Sequence, residues 1–235
     1  MFARKATVAA VSGAIALLVG SGAYAAVQTF STPTGATVLG NPVNASASFT
    51  TSTGVLQITL TDLLSNPTTV SQLVSDLDFT LSVGGTSTLT SSSGQEITIS
   101  NTGSATLGST VSTGWVLGSY NGGLTLCVIC PVGSNVSSQT APAHLIIGPG
   151  PYTNANGSIA GNDPHNPFLN GSATFSIANS SITSGTTVSN VVFSFGTTPG
   201  LNVPAVPEPG SLALLGSGLL ALGGIGRRKR LGMKQ

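Results

Sequence analysis

The sequence predicts an all-β fold: an antiparallel β-sandwich in a single domain, with the jelly-roll as one of its forms, set between two membrane-directed ends. Three observations predict it. Apolar and polar residues alternate over several short segments, and turn residues separate those segments at close intervals. All 7 Lys and Arg lie outside them, at Arg4, Lys5, Arg227, Arg228, Lys229, Arg230 and Lys234. A cytosolic domain scatters such cations over its surface for solubility, so here the cations serve membrane topology and not the folded body.

Alternation runs through residues 55–60, 79–83, 173–177 and 191–195, which read as half-buried strands. Turns are expected at Gly84-Gly85, Ser93-Gly94, Asn101-Thr102-Gly103, Asn121-Gly122-Gly123, residues 148–151 and Ser184-Gly185. One helical phrase of about two turns places Val70, Leu73, Val74 and Leu77 on one face. The body, residues 26–199, is long enough for one domain with a real core and too short to argue for two. Pro199, Pro204 and Pro207 punctuate the exit, so residues 200–206 read as a linker.

The N-terminal end, residues 1–25, reads as a signal peptide: a short basic start, an apolar stretch over residues 8–20, and small residues at Ala23 and Ala25. Cleavage is expected between Ala25 and Ala26 by signal peptidase, after delivery through the Sec machinery. The apolar stretch falls short of the roughly 20 residues that span a bilayer, which argues against a permanent anchor.

The C-terminal end, residues 207–235, carries Pro207-Glu208-Pro209, an apolar stretch rich in Leu, Ala and Gly that would form a helix over about residues 211–226, and the basic cluster at residues 227–230. At about 1.5 Å per residue that helix barely crosses the hydrocarbon core. The basic cluster stays cytoplasmic and puts Glu208 and the body on the outer side of the inner membrane. A plain membrane anchor is the alternative, but it has no need of a glutamate between two prolines.

These three features in fixed order at a chain end resemble the PEP-CTERM sorting signal of exported Gram-negative bacterial proteins. The resemblance covers about 30 residues. It implies a transmembrane sorting helix, an exosortase that processes the chain near Pro207, Glu208 and Pro209, and delivery to the cell surface or beyond. A looser similarity to segments that precede such signals covers residues 165–171 and 191–197, and no activity comes with it. Gly216-Ser217-Gly218-Leu219-Leu220-Ala221 fits a dinucleotide fingerprint formally, but it follows no strand and lies in the apolar stretch.

The body's chemistry is sparse. Its ionisable acids before the sorting motif are Asp62, Asp76, Asp78, Glu96 and Asp163, and it holds no cation, so nucleic acid is excluded as a partner and phosphate binding has no electrostatic support. About a third of its residues are Ser or Thr, yet the apolar content is too regular for disorder. No Gly-x-Ser-x-Gly elbow is present, and His144 and His165 are the only imidazole bases. No cofactor is expected.

Cys127 and Cys130 in an oxidising compartment read as a disulfide, with metal binding or thiol redox work as alternatives. Zinc would need His144 and His165 to join them, at spacings unlike a finger or ribbon. Asp76 and Asp78 are a conceivable Ca²⁺ pair, but such a site takes six or more oxygens, and a charged strand end is the simpler reading. Asn-x-Ser sequons at Asn44, Asn135, Asn156, Asn170 and Asn179 are what chance gives in a chain so rich in Asn and Ser. Any sugars would sit on surface Ser and Thr.

The reading that gathers these features is a non-enzymatic exported protein of the cell surface or extracellular polysaccharide matrix, processed by an exosortase. Its rival is a carbohydrate-binding module of that matrix, with Trp115, Tyr120 and Tyr152 stacking on sugar rings. A third reading, a periplasmic thiol oxidoreductase, requires a reactive Cys127.

Overall fold

The structure, a computed structural model, describes residues 26–138 and 143–208. The signal peptide, Pro209 and the expected helix over residues 211–226 lie outside them. The fold is all-β, with 50% strand and 2% helix. No helix among the described residues is long and apolar enough to cross a membrane.

β1 (Ala26–Ser31) opens the body, β2 (Thr37–Val38) and β3 (Asn41–Pro42) form a small separate ribbon, and β4 (Ala45–Ser52) and β5 (Val55–Asp62) form a long hairpin. After a 3-10 turn at Val70–Gln72 come β6 (Val74–Leu81), β7 (Thr88–Ile99), β8 (Ala105–Val111), β9 (Val116–Tyr120) and β10 (Gly123–Cys127). The last third holds β11 (Ile146–Ile147), β12 (Phe168–Ala178), β13 (Val188–Phe195), β14 (Asn202–Pro204) and β15 (Val206–Pro207).

Hydrogen bonds join 13 of these strands into one continuous sheet, where two separate antiparallel sheets were expected. Its pairings fall into two runs, β14-β13-β6-β10-β9 and β8-β7-β12-β5-β4-β1-β15. The two-residue β11 ties them, antiparallel to β6 at Val74 and parallel to β12 at Leu169 and Asn170. A strand bridging neighbours of opposite sense must run parallel to one of them, and that makes the sheet mixed.

The two runs face one another across a common core. Phe49 on β4 packs on Phe79 of β6 with ring centroids 5.3 Å apart, and Phe30 on β1 meets Phe49 edge-on at 5.8 Å. Alternation delivers Ala45, Ala47 and Phe49 from β4 and Leu56, Ile58 and Leu60 from β5 to this core. β6 lies between β10 and β13, and its first four residues are all buried, polar ones included.

Three local expectations change in the structure. The helical phrase becomes the 3-10 turn followed by β6: its spacing of apolar residues came from a central strand buried on both faces, where period 2 disappears. Gln72 Oε1 accepts from the Thr68 and Thr69 N–H groups at 2.7 and 3.1 Å and so holds the short turn. Ser93-Gly94, expected as a turn, lies inside β7, and Asn170-Gly171, which also reads as a turn in sequence, lies inside β12, opposite an irregularity in their pairing, with Gly171 at φ +70°. Both glycines mark a bulge and not a reversal. Finally, the segment read as a linker contains β14 and the first residue of β15.

Candidate functional site: the exit strand and the sorting motif

β1 and β13, each one strand in from an end of the sheet, pass close to one another without pairing. Gln28 on β1 spans them: its Nε2 donates to the Thr186 carbonyl at 3.1 Å, and its Oε1 accepts from the Val188 N–H at 3.0 Å. A side-chain amide thus takes the part of a peptide group in a ladder. An apolar groove of about 600 Å³ lies along this seam, between Phe30, Val188 and Val191 and the exit segment.

The exit segment crosses the seam. β14 pairs with β13 through Ser194↔Asn202, Phe193↔Val203 and Val192↔Pro204, and the Ala205 N–H donates to the Val191 carbonyl at 2.9 Å. One residue later the chain changes partner, with Val206 opposite Ser31 and Pro207 opposite Phe30 on β1. Pro204 and Pro207 lack the N–H that a longer ladder would use, which fits them to such short edge pieces.

The motif itself is therefore held against the body. The Glu208 N–H donates to the Thr29 carbonyl at 3.0 Å, and the Ser31 hydroxyl donates to Glu208 Oε1 at 2.6 Å. A hydroxyl on a carboxylate is the stronger, charge-assisted kind of hydrogen bond. Pro207 and Glu208 are thus placed by β1; Pro209 and Ala25 lie outside the described residues, while Ala26 is the first residue of β1, opposite Thr51 of β4.

The remaining candidate residues are spread through the body. Cys127 and Cys130 are joined as a disulfide at the end of β10, on a loop and not at a helix start, and both are buried. Trp115 is 3% exposed, with its ring 5.3 Å from Phe175 and its Nε1 donating to the His144 carbonyl at 2.9 Å. Tyr152 is also 3% exposed and its hydroxyl donates to the Gly148 carbonyl at 2.9 Å. These two rings are core residues and offer no face to a sugar, which corrects the expectation of a stacking trio; Tyr120 alone is half-exposed.

Both histidines are engaged within the body. His144 Nδ1 lies 2.9 Å from the Thr113 carbonyl and Nε2 lies 3.1 Å from Glu96 Oε1, so the ring pins three segments together. His165 Nδ1 contacts the Ser158 carbonyl at 3.1 Å. Among the described residues no group of His, Cys, Asp or Glu is arranged to hold a metal ion.

The acids are more constrained than a solvated strand end implies. Burial pushes the Asp62 carboxyl well above the usual carboxylate range, against the pull of the Leu64 N–H at 3.0 Å. Burial, and then the charge of Asp78, push Asp76 well up in spite of the Thr125 hydroxyl at 2.9 Å. Burial also raises Asp78. Tyr152, beside Asp62, is pushed up to about 12 mainly by burial.

Pro207 and Glu208 are legible as a motif in the sequence, whereas the residues that hold them are not. Gln28, Thr29 and Ser31 carry no motif, and only the pairing of two strands some 175 residues apart in the chain brings them to the exit. Glu96 and His144 were likewise unlinked, since nothing local couples residues from separate strands and loops.

Residues 205–230 match the family described as the PEP-CTERM protein-sorting motif. No curated protein and no solved structure matches the chain. The chain thus carries a PEP-CTERM sorting motif, which implies export, membrane-anchored sorting and an exosortase as its processing partner.

Proposed function

We propose that this chain is a non-enzymatic exported protein, released by an exosortase near Pro207-Glu208-Pro209 and deployed at the cell surface or in the extracellular polysaccharide matrix. The observation that carries the reading is the sorting motif at residues 205–230, joined directly to a folded body. The engagement of both histidines and the burial of Asp62 and Asp76 support a structural role for the titratable groups. The body is read as a β-sandwich, supported by the two facing runs of strands and the Phe49–Phe79 contact. The helix over residues 211–226 would span the inner membrane until processing, after a signal peptidase has removed residues 1–25.

Intact mass of the chain from wild-type and exosortase-deleted cells tests this, because it reports both cleavages and any attached sugar together. A product shortened near residue 208 in wild-type cells only is the expected result. Unchanged processing and release after replacement of Pro207, Glu208 and Pro209 by alanine overturns the reading.

A further inference from the structure

The fold deals with its sheet edges unequally. β14 and β15 are short and each contains a proline. β9 is covered by the loop after the disulfide, where Asn135 Oδ1 accepts from the Ser119 N–H at 2.7 Å and the Asn135 N–H donates to the Ser119 carbonyl at 3.2 Å. β8 has neither a proline nor a covering loop among the described residues, and its one irregularity is a bulge at Gly108-Ser109 opposite Glu96 of β7. Among the described residues it pairs only with β7, six of its seven residues are exposed, and it contains neither proline nor charge. An edge of that length, with its N–H and C=O groups free, is a template for another strand.

The sequence of β8 points to the partner. Ala105-Thr106-Leu107-Gly108-Ser109-Thr110-Val111 is nearly symmetric about Gly108. Laid antiparallel against a copy of itself, it sets Thr106 opposite Thr110 twice, Leu107 opposite Ser109 twice, and Gly108 opposite Gly108. Threonine pairs across strands are favourable, and with no charge on the strand no like charges meet. The side chain missing at Gly108 is also required within the protomer, since a Cβ there would lie 2.9 Å from Glu96 Cβ.

We propose that β8 is a dimerisation strand, through which two copies of this chain pair antiparallel about a twofold axis at Gly108. The symmetric contact uses up the β8 edge of both copies, so it gives a closed pair and not a fibre. The dimer rests on the folded body alone and is independent of how the chain is processed.

The test is disulfide trapping in the full chain, exported by its own cells. In the double variant Thr106→Cys with Thr110→Cys, each new cysteine faces its counterpart on the other copy, within the roughly 4.5–5.5 Å between paired Cα atoms that a disulfide accepts. Within one strand the two are about 13 Å apart and cannot join. The expected result is a reducible covalent dimer with the double variant, and none with Thr106→Cys alone or with the exposed Gln57→Cys. No dimer from the double variant, equal trapping through Gln57→Cys, trapping through Thr106→Cys alone, or a covalent product with another protein would each overturn the proposal. Sedimentation of the full chain in detergent adds a second reading: Thr106→Asp with Thr110→Asp should weaken association at least several-fold, and a wild-type chain that stays monomeric at every concentration refutes it.

Discussion

Ser31 and Glu208, 177 residues apart in the chain, are joined by a 2.6 Å hydrogen bond from the hydroxyl to the carboxylate. That bond fastens the sorting motif to the first strand of the body. Ser31→Ala should therefore loosen the exit segment without unfolding the domain. The expected cost is about 1 kcal/mol, or roughly a five-fold rise in amide exchange at Glu208, together with faster exosortase processing in a pulse-chase. Unchanged exchange and unchanged processing would show that the ladder bond to Thr29 holds the motif without help.

Acid should stabilise the body. Asp62, Asp76 and Asp78 have folded-state values raised above their unfolded ones, chiefly by burial. Below about pH 4 both states hold these protons and there is no difference to gain or lose. As pH rises from there through the raised values, the unfolded chain releases protons that the folded chain retains, so stability falls. The melting temperature should be higher by a few degrees at about pH 4.5 than at pH 7, and Asp76→Asn should flatten the slope and raise stability at neutral pH. A melting temperature that rises with pH over this range contradicts the assignment.

The disulfide closes a very short loop, so it contributes less than a long-range bridge would. Native protein should show no reactive thiol until reduced, and replacing both Cys127 and Cys130 by alanine should cost about 2 kcal/mol from lost loop closure while leaving the fold intact. Thiol labelling and denaturant titration check this. Rapid alkylation of Cys127 after mild reduction, near neutral pH, would instead favour the oxidoreductase reading.

Gly148 sits where backbone meets backbone. A Cβ there would run into the Leu64 carbonyl and come within 3.0 Å of Asp62 Oδ1. Gly148→Ala should destabilise the body by about 1–3 kcal/mol or more, whereas Gly157→Ala, with open space around it, should stay within about 0.5 kcal/mol. Equal effects in thermal unfolding would contradict the packing around Asp62.

Legibility in the sequence followed the range of the interaction. Strand β5 was readable because Leu56, Ile58 and Leu60 alternate with polar residues, and the turn at Asn121-Gly122 because both residues adopt positive φ. Core strand β6 was misread as partly helical, since a strand buried on both faces shows no period. The motif was legible as a string of residues at a chain end. Its mooring was not, because Gln28 and Ser31 acquire their roles only when β1 meets β13 and β15. Trp115 and Tyr152 looked available for ligands; composition cannot tell a ring that faces Phe175 from one that faces water.

The antiparallel sense of β15 against β1 also sets how the molecule hangs. From Ser31 opposite Val206 the exit runs back towards Ala26, so the described chain enters and leaves at one pole, with Thr29, the partner of Glu208, only about 10 Å along β1 from Ala26. A body tethered in this way hangs from a single point like a pendant. Cutting the tether beyond Glu208 then frees the body without any of its described strands having to change partner.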